Sequence, residues 1–328
     1  ASGILRVQDG AVISNKLQIG TGISGTSGRG SGAVYQSGGT VCTVGKAEYR
    51  ANCMGDGTAF GYYELKGGSF VGYMAIAPYG YAVWHQEPDT TADLKALDIA
   101  TANGGHADVY IRGTLTAASG TSQISGGYQN KNVSIITVDG PGYLNLGFKT
   151  AYAFNSSSSD KCFVNLIRGG KIRAGNFYRH NSAYGNAGLF DISFDGGVFV
   201  IGYANSEVFA TTDANQSKTY VDHVRIYKGG MTVDTEERNV GTKLPLLRPD
   251  GLGVTSISFD YTAFKKWHTP PYIQISGDGT GATAHALYDS ANQAVTGVVI
   301  TCSGRGYVTE TTTVKAVYMG NGAPSAVT

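Results

Sequence analysis

A short phrase repeats along this chain. It is clearest between Lys161 and Asp234, as FVNLIRGGKIRAG (163–175), DISFDGGVFVIG (191–202) and VRIYKGGMTVDT (224–235). Each copy is a β-type apolar run, a charged residue, a glycine turn and a second β-type run. Looser copies upstream read VYQSGGTVCTVG (34–45), YELKGGSFVG (63–72), DVYIRGTLTAAS (108–119) and ITVDGPGYLNLG (136–147). The first glycines fall at 38, 67, 113, 140, 169, 196 and 229, so every step is 27 to 33 residues except one of 46. A fixed period of this size marks a repeat architecture. The unit is too short for a four-stranded propeller blade and holds no regular amphipathic helix. It predicts an all-β chain folded as a parallel β-helix of about 28 residues per coil, each coil covering its neighbours.

The residue before each glycine turn reads Ser37, Lys66, Arg112, Asp139, Arg168, Asp195, Lys228. Stacked in register, these would form a column spaced about 4.8 Å apart. From Arg112 onward the signs alternate, so a structural charge ladder is expected, since opposite charges on neighbouring strands stabilise modestly.

The pattern divides the chain. Residues 1–32 read as an N-terminal cap, with a turn at Asp9-Gly10, because solenoid ends need protection from edge-to-edge association. Residues 33–235 read as the β-helix. The 46-residue step places an insertion near 87–106, where PDTTADLKALDIATANGG offers a helical stretch over Thr91–Thr101; a degenerate coil is the alternative. Residues 236–252, with two prolines and six charges, read as the boundary where the β-helix ends. Residues 253–328 repeat internally with a 41-residue shift: GVTSISF matches AVTGVVIT, and YIQISGDGTGA matches TVKAVYMGNGA. Two hairpin-like halves are expected, forming a small C-terminal β domain that caps the solenoid.

Composition narrows the function. Glycine (48) and tyrosine (21) are abundant, charged residues are 15%, and the net charge is +1. No basic run exists to neutralise phosphates, so nucleic acid is not an expected partner. No apolar run is long enough for a spanning helix. The first residue is not Met and no signal peptide is seen, which reads as a mature or trimmed chain; the early end of the second half-repeat reads as a fragment of a longer one. Cys42 and Cys53 lie close enough for a local disulfide, and Cys162 and Cys302 are expected to stay separate. No histidine–cysteine spacing fits a metal, and no cofactor is expected.

Candidate chemistry is sparse. Tyr35, Tyr63 and Trp84 follow a shared pattern and are expected to stack as one aromatic column, either packed or presented as a sugar platform. Trp267, on the proline-bounded FKKWHTPPY turn, joins them as a candidate binding residue. A polysaccharide-cleaving site on a β-helix would need clustered carboxylates with a basic partner, and Asp191, Asp195, Lys171 and Arg173 are the available set. There is no GxSxG, and GDGTG at 277–281 lacks the acidic spacing of a calcium loop.

The VYQSGG and YYELKGG units resemble repeats in the passenger regions of bacterial autotransporter-type surface proteins. The segment GDGTGATAHALYD…AVTGVVITCSGRGYV is similar to a glycine-rich repeat of such proteins, GxGATAxAxVxxGxVTxVxVTxxGxGY. FKKWHTPPY departs from that repeat, and no membrane barrel follows. The resemblance implies a right-handed parallel β-helix, secretion to the extracellular space or cell surface, and a role in adhesion or display. The expected function is therefore a non-enzymatic surface protein with shallow glycan or protein partners and possible self-association. A polysaccharide lyase or glycoside hydrolase and a filament subunit are the alternatives.

Overall fold

The computed structural model describes residues 2–21, 30–44, 52–101, 104–117, 122–125, 131–147, 150–153, 160–179, 188–202, 208–209, 221–258 and 268–317. These residues are all-β, with no helix among them. In chain order the strands are β1 (Ser2–Val7), β2 (Ala11–Ser14), β3 (Gln18–Thr21), β4 (Ser31–Thr43), β5 (Cys53–Asp56), β6 (Phe60–Ile76), β7 (Tyr81–Gln86), β8 (Thr91–Ile99) and β9 (His106–Ile111). There follow β10 (Thr114–Thr116), β11 (Ser122–Ser125), β12 (Val133–Asp139), β13 (Tyr143–Asn145), β14 (Thr150–Ala153), β15 (Lys161–Ile167), β16 (Lys171–Ala174), β17 (Asn176–Arg179), β18 (Leu189–Asp195) and β19 (Gly197–Ile201). The last are β20 (His223–Ile226), β21 (Met231–Asp234), β22 (Leu246–Leu247), β23 (Tyr272–Ser276), β24 (Thr280–Asp289), β25 (Ala294–Arg305) and β26 (Thr313–Val317).

Strands β1 to β22 form one large sheet, and every pairing in it is parallel. The pairings trace three ladders. Ladder A runs β1, β4, β6, β7, β9, β12, β15, β18, β20, β22. Ladder B runs β2, the second half of β4, the middle of β6, β8, β10, β13, β16, β19, β21. Ladder C runs β3, β5, the end of β6, the end of β8, β11, β14, β17. One continuous core is shared by all three, with Ile192 from A, Phe199 from B and Phe177 from C. Parallel strands buried on a common side are rich in Val, Ile, Leu and Phe, as these are.

The glycine pairs turn the chain from ladder A to ladder B. At Gly68 the backbone is left-handed (φ +80°), and a Cβ there would lie 2.0 Å from the Gly39 carbonyl oxygen. Only glycine fits where successive corners stack this closely. The 46-residue step hides one such corner. Glu87–Thr90 makes the turn between β7 and β8, with Asp89 taking the left-handed conformation (φ 62°) that glycine takes elsewhere. Asparagine and aspartate tolerate it better than other side chains.

Three expectations are corrected here. The helix expected over Thr91–Thr101 is strand β8, so 87–106 carries ladder strands, as the degenerate-coil alternative had it. The boundary segment 236–252 is not outside the sheet: Leu246 pairs with Val224, and Leu244 is buried in the shared core. The two C-terminal halves do not each close a hairpin. β23 pairs antiparallel with β26, and β24 with β25, so both pairings join the first half to the second. The repeat equivalents Gln274 and Lys315 sit directly opposite each other, which makes the pairing locally two-fold.

The C-terminal unit lies along the flank of ladder A, where a cap over its end was expected. Tyr272, Ile273, Ala284, Ala286, Tyr288 and Val317 form a second core with Ala33, Tyr35, Phe60, Tyr62, Val83, Ile135 and Phe163. This gives ladder A two buried faces, one turned to the shared core and one turned to the C-terminal unit.

Candidate functional site

Ladder register sorts the outward side chains into rows. One row reads Tyr35, Glu64, His85, Tyr110, Thr137, Asn165, Ser193, Arg225. Every member is polar or a tyrosine, and every one is buried. Such a row is costly unless its groups find partners. The C-terminal unit supplies many of them. The Tyr35 hydroxyl donates to the His268 carbonyl, and its ring stacks on Tyr288. Asn165 donates to Thr283 Oγ1 at 2.9 Å. The Cys302 thiol lies 3.5 Å from Ser193 Oγ and 3.3 Å from the Tyr227 hydroxyl.

The centre of the strip is a chain of ionisable groups. Asp108 Oδ2 is 2.8 Å from His285 Nδ1, His285 Nε2 is 2.8 Å from His85 Nδ1, and His85 Nε2 is 3.1 Å from Glu87 Oε1. Arg112 Nη1 holds the other Glu87 oxygen at 3.0 Å. Tyr110 stacks on His285 with centroids 4.2 Å apart and planes 4° from parallel. Burial pulls the His85 pKa below the ordinary histidine value, against the opposing hydrogen bond to Glu87. That same hydrogen bond holds the Glu87 carboxyl below its usual range. Close by, His106 stacks on Tyr81 and meets Tyr272 edge-on, and burial pushes its pKa down to about 4.

Beside this chain a cleft of about 150 Å³ opens between His106, Lys161 and Phe163 on the flank and the Gly277–Gly281 loop. It is smaller than the roughly 300 Å³ at which pockets for organic ligands begin. At the far end of the strip Arg225 is buried, its Nε lacks a hydrogen-bond partner, and the Asp191 carboxylate is 4.0 Å away.

The expected site residues fall elsewhere. Tyr63 and Trp84 do stack, 4.7 Å apart and 20° from parallel, but both are buried in the shared core. Tyr35 is not in their column: Tyr63 is paired with Val34, so Tyr35 points to the opposite face. A one-residue offset on a strand reverses the side, and the sugar platform is not formed. Trp267 lies outside the described residues.

Asp191, Asp195, Lys171 and Arg173 do not converge. Asp191 is buried on ladder A, 2.7 Å from His223 Nδ1. Asp195 sits at the next corner and accepts from the Gly229 backbone at 2.6 Å. Lys171 and Arg173 are on ladder B, and Arg173 is held by Glu236 at 2.5 and 2.8 Å.

The charge ladder forms only in part. Asp139 is buried, accepts from Arg168 at 2.9 and 2.5 Å and lies 4.0 Å from Arg112. Lys66 pairs instead with Glu64 at 3.1 Å, and no ion pair joins Asp195 to Arg168 or Lys228 among the described residues. Asp139 registers with Ile167 and reaches Arg168 from one residue short of it. All four cysteines are thiols, so Cys42 and Cys53 are not bridged.

Among the described residues no cluster of three or more His, Cys, Asp or Glu could hold a metal ion. Among them, too, no helix is long and apolar enough to cross a membrane. Comparison of the chain with protein-family models, curated proteins and solved structures finds no match.

Proposed function

We propose that the three ladders are the sides of a right-handed parallel β-helix, and that the chain is a non-enzymatic extracellular or cell-surface protein acting in adhesion, display or surface structure. The fold reading rests on three parallel ladders sharing one core at a spacing of about 28 residues, and the handedness rests on the rule that parallel crossovers are right-handed. The observation that carries the functional reading is the disposition of the charges. Asp191, Asp195, Lys171 and Arg173 are spread over two ladders, and Asp191 and Arg173 are engaged by His223 and Glu236. A glycan-cleaving centre needs two carboxyl groups facing one bond, and this set does not provide it. Partners, glycan or protein, would be met by shallow contact along a rigid surface.

Incubation with a panel of polysaccharides and mucin-type glycans, with and without calcium, tests this. Retention without new reducing ends is the expected result. Turnover on any member of the panel would overturn the non-enzymatic reading. Self-association is a second reading, favoured by the exposed Ile13 (72%) on β2 and Val233 and Leu246 (43% and 46%) on β21 and β22. Among the described residues these strands pair on one side only. Sedimentation over a range of concentrations distinguishes it: a constant mass counts against it.

A further inference from the structure

We infer that the seam between the C-terminal unit and the flank of ladder A is an acid-released latch, which opens when both rings of the His85–His285 pair are protonated. The argument is one of counting protons. The chain Asp108–His285–His85–Glu87 has three links, and each link needs one proton. Ionised carboxylates at both ends only accept, and a neutral imidazole carries one N–H. Two neutral rings therefore close two links. One added proton closes the third, so a singly charged pair holds every link, those across the seam included.

The seam stays closed in that singly charged state. A second proton puts a hydrogen on both facing nitrogens, His85 Nδ1 and His285 Nε2, so the central hydrogen bond is lost and two cations stack with centroids 5.0 Å apart. His285 is fully buried, so solvent screens little of the repulsion.

The surrounding groups do not relieve it. Tyr110 stacks on both rings, and its hydroxyl donates to Asp139. Glu64, the rung neighbour of His85, is engaged by Tyr62 and Lys66. Glu87 is shared with Arg112. Only Asp108 is left to face the second charge. His106 acts in the same direction: it contacts Tyr272 of the C-terminal unit, and its ring neighbours are Tyr81 and Tyr272, with Lys161 lining the same cleft. His106 has a lowered value while the unit is docked, so its share of the docking is complete above the ordinary value of 6.5 and is lost as pH falls toward 4.

Cys302 reports on the seam, because the docked unit buries it against Ser193 and Tyr227. Cys162 is the internal control, buried in the shared core. The experiment labels the protein with a pyridyl disulfide, which reacts with thiols in acid, and reads each cysteine by peptide mass against unfolded protein at the same pH. Between about pH 7 and 4.5 the Cys302 rate should rise roughly tenfold or more, corresponding to a docking change above 1.4 kcal/mol, while Cys162 stays protected. His285→Gln should remove most of the rise, leaving the share that His106 carries, and stay closed at neutral pH, since a carboxamide donates to Asp108 and accepts from His85; His85→Gln is the second variant. Three results would overturn the latch: a flat Cys302 rate in the native sequence, an equal rise in His285→Gln, or Cys162 becoming reactive together with Cys302. Glutamine variants that are open already at neutral pH would also overturn it, because ring packing and not proton count would then set the closure.

Discussion

At the scale of single residues, the corner glycines and the outward polar row carry the most information. Gly68→Ala places a methyl 2.0 Å from a carbonyl oxygen at a left-handed position. It should destabilise by about 1–3 kcal/mol or more, read as a lowered midpoint in urea unfolding. Ile192→Ala, in the shared core, should cost about 2–5 kcal/mol in the same assay. The glycine corners were legible in the sequence because nothing else fits them. The polar row was written there too: Tyr35, Glu64, Tyr110, Thr137 and Ser193 each stand three residues before the first corner glycine. It was passed over because a polar side chain on the outward face of a half-buried strand looks solvent-facing. Only a second layer reveals it as buried, and that layer is drawn from residues more than a hundred positions away, as in Asn165 with Thr283.

At the scale of elements, the hidden corner at Glu87–Thr90 shows what spacing alone misses. Leu94 and Leu97 are three apart, and that spacing suggested a helix. They face the same core because β8 passes from ladder B to ladder C between them, with a register shift opposite Gly72 and Met74. Alternation restarts at such a bend, so two inward residues come to be three apart. Replacing Leu97 with Asp should therefore unfold ladders B and C together, seen as loss of amide protection in β8, β11 and β14. A helix on the surface would tolerate the change. The 41-residue repeat was equally legible, but its pairing was not. Matching sequences say that two halves are alike, and they do not say whether each closes on itself or joins the other.

At the scale of the whole molecule, three ladders around one core account for the low charge and the regular glycines, and the docked C-terminal unit accounts for the buried histidines. Stability should accordingly depend on pH. His106 has a folded value of about 4 against an ordinary 6.5, so its contribution is complete above 6.5 and is lost as pH falls through that interval. The loss should reach about 3 kcal/mol for this group alone. A thermal midpoint that does not fall between these limits would count against the burial of His106. The central claim is that the C-terminal unit lies along the flank of ladder A with β24 over the polar row. It is tested most directly by a cysteine pair at Asn165→Cys and Thr283→Cys, in a chain carrying Cys42→Ser. With the native side chains 2.9 Å apart and both buried, refolding with a mild disulfide-forming oxidant should join the pair rapidly and completely. A folded protein in which this pair joins no faster than Asn165→Cys with an exposed partner at Asn292→Cys would contradict the account.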